Sequence, residues 1–340
     1  MRNLSQDQLI QIFAAWGEPS YRAKQVFDWL WNKSARSFDE MSNLSKSIRE
    51  KLEADFQFQS IILDHSQHSN DGTIKSRFEL YDQTKIESVL IPVADDKRFT
   101  VCVSTQVGCS LTCKFCATGK MGRIRNLDAG EIYDQVVEVN KQCLEKFGHP
   151  LTNIVYMGMG EPLLNYASTM KSIDLITSPD GLGMSAKRIT VSTAGIAKMI
   201  RKLADDGTRV NLALSLHAPT DVKRNEIMPI NESNSLDVLM DSLAYFHQTT
   251  GNRITYEYLA LQGFNDTMED AIALEQLCVR FPVKVNIIEY NSIGDGLFEK
   301  SDGNQVDRFA KYLSNKGVQV TVRRSRGKDI DAACGQLANK

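Results

Sequence analysis

Hydrophobic positions in the first sixty residues recur at helical spacing. Leu9, Ile10, Ile12 and Phe13 form one set, Val26, Phe27, Leu30 and Trp31 a second, and Leu44, Ile48 and Leu52 a third. Apolar residues three and four apart share a helix face, so this pattern predicts a helical module over residues 1–60. The stretch Gly17-Glu18-Pro19-Ser20 divides its first two helices. The period changes over 61–97. Arg77–Leu80 and Ile86–Ile91 are strand-like runs about a polar Asp82-Gln83 turn, which predicts a β-hairpin leading into the rest of the chain. From residue 98 strand-like runs recur at 98–104, 153–157, 187–192, 209–216, 253–261, 283–290 and 318–324. Amphipathic stretches such as Ile132–Phe147 and Asp266–Arg280 separate most of them. That alternation predicts an α/β fold with a parallel sheet, a partial or complete (β/α) barrel over 98–325 followed by a C-terminal segment, 326–340. In such barrels reacting groups collect at the C-terminal ends of the strands.

The 340 residues carry 40 Lys and Arg against 42 Asp and Glu, a net charge of −2, and 42% are hydrophobic, enough for a core and too much for a disordered chain. No apolar run has membrane-spanning length, and the polar stretch Met1–Ile12 lacks a signal-peptide core. The expected compartment is therefore the cytoplasm, with no membrane partner. There the seven cysteines more often serve metals or catalysis than structural disulfides. The net charge does not advertise a nucleic-acid binder, but its distribution is uneven. Lys114, Lys120, Arg123 and Arg125 lie in Ser110–Asn126, and Arg323, Arg324, Arg326 and Lys328 in Gln319–Lys328, both without an acidic residue. Either run alone reads most simply as a solvated face. Together they flank the chemistry described next and form a candidate phosphate-contacting surface, to which Arg22, Lys24, Lys33 and Arg36 of the helical module add a second. Trp29 and Trp31 are read as core rather than base-stacking platforms.

Cys109-Ser110-Leu111-Thr112-Cys113-Lys114-Phe115-Cys116 follows the first barrel-like strand. Three nearby thiolates suit a soft metal. Structural zinc wants a fourth ligand in the same pattern, and the nearest downstream histidine is His149. An iron–sulfur cubane held by three cysteines leaves one iron open. Structural zinc or buried cysteines remain the alternatives. Gly158-Met159-Gly160-Glu161-Pro162 follows the next strand, with glycines that allow close backbone approach and a carboxylate, Glu161, that accepts from an ammonium or hydroxyl. Alone it is an ordinary βα turn. Ser192, the run Ser215-Leu216-His217, and Asn291 put small polar groups at later strand ends, although His217 by itself reads as a structural histidine. Cys143 and Cys278 sit in helical runs and read as core.

Cys109–Cys116 resembles the radical S-adenosylmethionine (SAM) signature, and Gly158–Pro162 the element of that superfamily that meets the methionine amino group. The run Arg326–Leu337, with Cys102–Cys109 and Val155–Pro162, resembles RlmN-type RNA methyltransferases, and Tyr21–Gln25 and Phe38–Ser42 fit that family's accessory domain. The likeness covers nearly the whole chain. It implies a [4Fe-4S] cluster on Cys109, Cys113 and Cys116, and two SAM molecules per turnover, bound through Gly160, Glu161, Ser192, Ser215, Leu216, His217 and Asn291. It further implies methylation at C2 of an adenosine in the peptidyl-transferase centre of 23S rRNA before full ribosome assembly, and at C2 of the tRNA adenosine 3′ of the anticodon. An electron donor such as flavodoxin is implied as a partner.

The same resemblance gives Cys334 the role of methyl acceptor. Cys102 would release the product and pair with Cys334 in a disulfide, and Glu87 is a proton acceptor alongside Cys102 as the alternative. By residue type, Cys102 also reads as a small buried hydrophobe and Glu87 as a solvent-side strand glutamate. Two alternatives to the C2 reading stay open: the sister Cfr-type C8 chemistry, and a non-catalytic RNA-binding protein with structural zinc.

Overall fold

The computed structural model describes residues 1–58 and 61–339. Three helices, α1 (Gln6–Ala15), α2 (Ser20–Trp31) and α3 (Lys46–Asp55), form the N-terminal module. Ser5 caps α1 by accepting from the Gln8 N–H while the Gln8 side chain returns to the Ser5 N–H, and Ser45 caps α3. The module docks through Arg2, which is almost wholly buried. Its guanidinium pairs with Asp134 at 2.6 Å and lies over the rings of Trp31 and Tyr133 at 5.3 and 5.2 Å. The Tyr133 hydroxyl donates to the Trp31 carbonyl at 2.5 Å.

Strands β1 (Ile61–His68), β2 (Ile74–Leu80), β3 (Lys85–Val93) and β4 (Arg98–Cys102) pair antiparallel in sequence. A two-stranded ribbon, β5 (Gln106–Val107) and β6 (Arg125–Asn126), encloses the short helix α4 (Ala117–Lys120). The βα repeat then runs α5 (Ala129–Phe147), β7 (Asn153–Tyr156), α6 (Tyr166–Thr177), β8 (Ile189–Thr193), α7 (Ala197–Asp205) and β9 (Asn211–Ser215). It continues through α8 (Asp221–Ile227), α9 (Leu236–Thr250), β10 (Ile254–Ala260), α10 (Met268–Cys278), β11 (Val283–Glu289), α11 (Gly303–Asn315) and β12 (Gln319–Arg323). Ten strands make one sheet in the order β1-β2-β3-β4-β7-β8-β9-β10-β11-β12.

Within this sheet the seven strands β4, β7, β8, β9, β10, β11 and β12 are parallel and match the seven strand-like runs. Among the described residues the sheet does not close on itself, since it ends at β1 and β12, so the barrel is a partial one. The predicted hairpin is β2–β3, but a third strand, β1, precedes it. Its sequence Ile61–His68 is mostly polar and mostly exposed, and its register shifts between Leu63 and His65. Polar, bulged edge strands resist pairing with other chains, and they carry no clean alternation to read. β3 pairs directly with β4, Val89 opposite Cys102, so the antiparallel strands continue the parallel sheet.

Candidate active site

The cluster loop is held at both ends. The β5–β6 ribbon closes its base, and the Cys109 N–H donates to the Gly122 carbonyl at 3.2 Å. α4 starts immediately after Cys116. Cys109, Cys113 and Cys116 are free thiols and line one cavity of about 170 Å³. Burial pushes the Cys109 thiol up to about 11 and the Cys113 thiol higher still, so metal binding there releases protons. Among the described residues no three His, Cys, Asp or Glu side chains converge on a single-ion site. A cubane needs no such convergence, because each thiolate takes its own iron. The donor set fits such a cluster: three soft ligands lining one open cavity.

Gly158, Gly160 and Glu161 line the same space. Gly160 has φ +94°, and a Cβ there would stand 2.5 Å from the Gln106 Cβ and 2.9 Å from its backbone nitrogen. Gly160→Ala is therefore expected to cost about 1–3 kcal/mol of backbone strain. A lowered melting midpoint and weakened SAM binding in calorimetry check it. Glu161 is buried. Its Oε2 accepts from the Ala194 N–H at 2.7 Å and its Oε1 from the Leu163 N–H at 3.0 Å. Burial outweighs these bonds and raises its carboxyl to about 7.

Ser192 and Ser215, at the ends of β8 and β9, stand 3.4 Å apart at Oγ and line the cavity with His217. His217 has φ +56° and accepts at Nδ1 from the Leu259 N–H at 3.1 Å. Burial, aided by Arg224, lowers it to about 3, so it stays neutral. Phe115, the aromatic residue before the last cluster cysteine, packs edge-on against it at 4.7 Å.

The C-terminal segment returns Cys334 to this cavity. Gly335 has φ +83° and lies so close to the cluster loop that a Cβ would sit 3.1 Å from the Phe115 carbonyl. Its own carbonyl accepts from the Ala117 N–H at 2.7 Å. Cys334 keeps solvent access through the cavity mouth, yet the surrounding protein raises its thiol, an effect that Arg323 opposes and Glu257 reinforces.

Four expected site residues lie off the cavity wall. Leu216 is buried behind it. Asn291 donates to Ser325 Oγ at 2.8 Å and to the Glu289 carbonyl at 3.1 Å. Cys102 is buried, its thiol raised by burial and by proximity to Cys334. Glu87 is wholly buried rather than on a solvent-facing strand side, and it engages the C-terminal tail.

Two features escaped the sequence reading. Glu257, at the centre of the fully buried β10, accepts from Asn286 Nδ2 at 2.8 Å and faces Arg323 at 3.5 Å inside the cavity. A carboxylate in an otherwise apolar strand was the available signal. Arg224, fully buried, donates to the carbonyls of Leu216 and Ser215 at 3.0 and 3.1 Å and to that of Ala194, tying the ends of β8 and β9 together. No sequence signal marked it.

The basic runs are largely committed to carboxylates. Arg125 bridges Glu131 at 2.8 Å and Asp82 at 2.6 Å, and Lys120 pairs with Asp295. Arg324 and Lys328 each meet the buried Glu289 at 2.7 Å, and Lys300 joins them at 3.1 Å. Lys114, Arg123 and Arg326 have no carboxylate partner among the described residues, Arg123 donating instead to Asn126 Oδ1 at 3.4 Å. In the N-terminal module Trp31 is core, whereas Trp29 is half-buried with the Lys33 ammonium 4.0 Å over its ring. Among the described residues no helix is long and apolar enough to cross a membrane.

A partial (β/α) barrel with three cysteines on a loop after its first strand defines a radical SAM enzyme, and residues 103–274 match the radical SAM superfamily. Residues 1–57 match the ribosomal RNA large subunit methyltransferase N-terminal domain. The chain is 55% identical to the probable dual-specificity RNA methyltransferase RlmN of Cytophaga hutchinsonii, over all of this chain and 93% of that one. It is 52% identical to the protein of the same description from Christiangramia forsetii, over all of this chain and 96% of that one. The crystal structure of a radical SAM methyltransferase from Sphaerobacter thermophilus superposes with a TM-score of 0.94 at 40% identity, covering 99% of this chain and 98% of that one. The chain belongs to the RlmN family of radical SAM RNA methyltransferases, whose chemistry uses a [4Fe-4S] cluster and SAM.

Proposed function

We propose that this enzyme methylates C2 of an adenosine in the peptidyl-transferase region of 23S rRNA and C2 of the tRNA adenosine 3′ of the anticodon. The observation that carries the reading is Cys334 in one cavity with the three cluster cysteines and Glu161, although most of the barrel separates them in sequence. The dual specificity named for the two bacterial relatives supports two RNA substrates.

Adenine C2 lies between two ring nitrogens and is electron-poor, so it cannot attack a SAM methyl group, and radical addition avoids that difficulty. When bound, the cluster and SAM supply a 5′-deoxyadenosyl radical. Cys334 first takes a methyl group onto its sulfur as a nucleophile. Hydrogen loss from that S-methyl group leaves a carbon radical that joins Cys334 to C2. Loss of the C2 proton to a base and of one electron, for which the oxidised cluster would be the acceptor when bound, leaves a closed-shell thioether. The Cys102 thiolate then attacks the Cys334 sulfur, and the departing methylene carbon takes up a proton to become the methyl group. This frees methylated RNA and leaves a Cys102–Cys334 disulfide, which a cytoplasmic thiol reductant resets by supplying two electrons and two protons. An electron donor such as flavodoxin would serve the cluster. Glu161 would accept from the SAM ammonium, and Gly160, Ser192, Ser215 and His217, which line the same cavity, would hold the rest of the molecule. Access requires the target base to be splayed out of its RNA fold.

Mass spectrometry of nucleosides from rRNA and tRNA transcripts treated with loaded enzyme tests the assignment. 2-Methyladenosine from both is expected, and 8-methyladenosine would overturn it in favour of the Cfr-type reaction. Because Glu161 titrates near pH 7 and only its carboxylate attracts an ammonium, SAM affinity should rise with pH up to about 7 and level off above it. Below that point it should fall about tenfold per pH unit, and Glu161→Gln should flatten the profile. Calorimetric titration between pH 5.5 and 8.5 checks this.

A further inference from the structure

The segment carrying Cys334 has no secondary structure beyond a short turn at Lys328–Ile330, yet it is fastened on both sides. On the upstream side the Gly327 N–H donates to Asp71 Oδ2 at 2.9 Å. Asp329 accepts from Ser69 Oγ at 2.6 Å and from the Asn70 N–H at 3.2 Å. Both contacts belong to the turn between β1 and β2. On the downstream side the Ala338 and Asn339 N–H groups donate to one oxygen of Glu87, Oε2, at 2.9 and 3.1 Å. The Asn339 side-chain amide donates to the Lys85 carbonyl at 2.7 Å. The other Glu87 oxygen takes no hydrogen bond and faces Lys75 Nζ at 3.5 Å, and that ammonium lies 3.4 Å from the Asp331 carbonyl. Thr118 Oγ1, just past the cluster loop, donates to the Leu337 carbonyl at 2.6 Å.

An irregular chain end has little intrinsic reason to stay in one place, because ordering each residue costs about 1–2 kcal/mol of backbone entropy. Two carboxylates accepting backbone N–H bonds offset part of that cost through charge-assisted hydrogen bonds. Glu87 is wholly buried, and its negative charge is answered by Lys75 on the neighbouring strand and by two tail amides. It does not line the cavity.

We propose that Glu87 is a positioning residue whose carboxylate clamps the Ala338–Asn339 backbone and, with Asp71 holding Gly327, suspends Cys334 at a fixed depth in the cavity. The antiparallel strands β1–β3 are thereby the cradle of the reacting cysteine. The purpose of this clamp rests on the proposed role of Cys334 as methyl acceptor.

The test uses full-length, cluster-loaded protein with two readouts. The first is hydrogen exchange at the amides of Ala338 and Asn339, which needs no methyl transfer. The second is the single-turnover rate of S-methylation of Cys334 with SAM and no RNA, followed by peptide mass, beside SAM affinity. Glu87→Ala should speed exchange at both amides and slow Cys334 methylation about ten- to hundredfold with SAM affinity retained, since small misplacements cost factors of that size. Glu87→Gln keeps an acceptor oxygen and should restore most of both. Removal of residues 338–340 leaves Glu87 and its Lys75 pair intact but takes away its tail amide partners. It should match Glu87→Ala, and adding Glu87→Ala to it should cause no further loss. Because Glu87→Ala strands a buried Lys75, the truncation and the Gln variant carry the test if that variant does not fold.

Wild-type methylation rates in the truncated protein would overturn the clamp. So would a Gln variant as slow as the Ala variant, which would make the negative charge facing Lys75, and not the acceptor oxygen, the requirement. Altered exchange in a protein whose wild-type Cys334 never gains a methyl group supports the clamp and removes the methyl-acceptor reading.

Discussion

Cys334→Ala is expected to eliminate RNA methylation, by about 10⁴-fold or more, while iron and sulfide stay at wild-type stoichiometry. In the proposed reaction Cys334 carries the transferred group, so its removal leaves only background chemistry, and losses of that size are typical when a covalent nucleophile is deleted. Cluster retention follows from geometry. Cys109, Cys113 and Cys116 sit on a loop closed by its own ribbon and the short helix α4, and Cys334 reaches the cavity from the other end of the chain. Peptide mapping of the wild-type protein after incubation with SAM should show one added methyl on the peptide containing Cys334. Full activity with an unmodified Cys334 would contradict the relay. Replacing any one cluster cysteine is the complementary case, in which iron and radical formation disappear together.

Cys102→Ala should stop the reaction one step later. In the proposed reaction Cys334 and C2 share a methylene bridge, a thioether stable to water and mild reductants, and a second sulfur is needed to displace it. The variant should accumulate a covalent protein–RNA adduct, approaching about one RNA per protein, with multiple turnover lost. The adduct should survive denaturation, vanish on nuclease treatment, and be absent from the Cys102→Ala, Cys334→Ala double variant. Cys102 lies behind the cavity wall and burial raises its thiol, so the reactive thiolate is scarce at neutral pH. In the wild-type enzyme adduct resolution should therefore quicken as pH rises, by up to about tenfold per unit. Normal turnover without an adduct would make Cys102 a core residue.

The central strand Ile254–Ala260 was legible because a strand covered on both faces reads as a nearly continuous apolar run, whereas β12, Gln319–Arg323, was legible by alternation. β1 was not, since an exposed edge strand with a bulge shows no period of two. The cluster loop declared itself by local spacing, and Glu161 by its place in a glycine turn. What the sequence could not show were partnerships made across long separations. Asn291 turned toward Ser325 rather than the cavity, Glu87 toward a tail some 250 positions later, and Glu289 gathered three cations from two distant segments. Arg224 stands on a helix whose sequence gives no hint that its guanidinium fastens two strand ends.

The capture of Arg125, Lys120, Arg324 and Lys328 by internal carboxylates bears on how the enzyme meets a polyanion. Displacement of condensed counterions from RNA drives much of nonspecific association, and each phosphate neutralised adds to the slope of log affinity against log salt concentration. A cation already balanced by a fixed carboxylate contributes little to that slope. Binding should thus depend on ionic strength less steeply than a count of lysines and arginines implies, which limits indiscriminate adhesion to RNA.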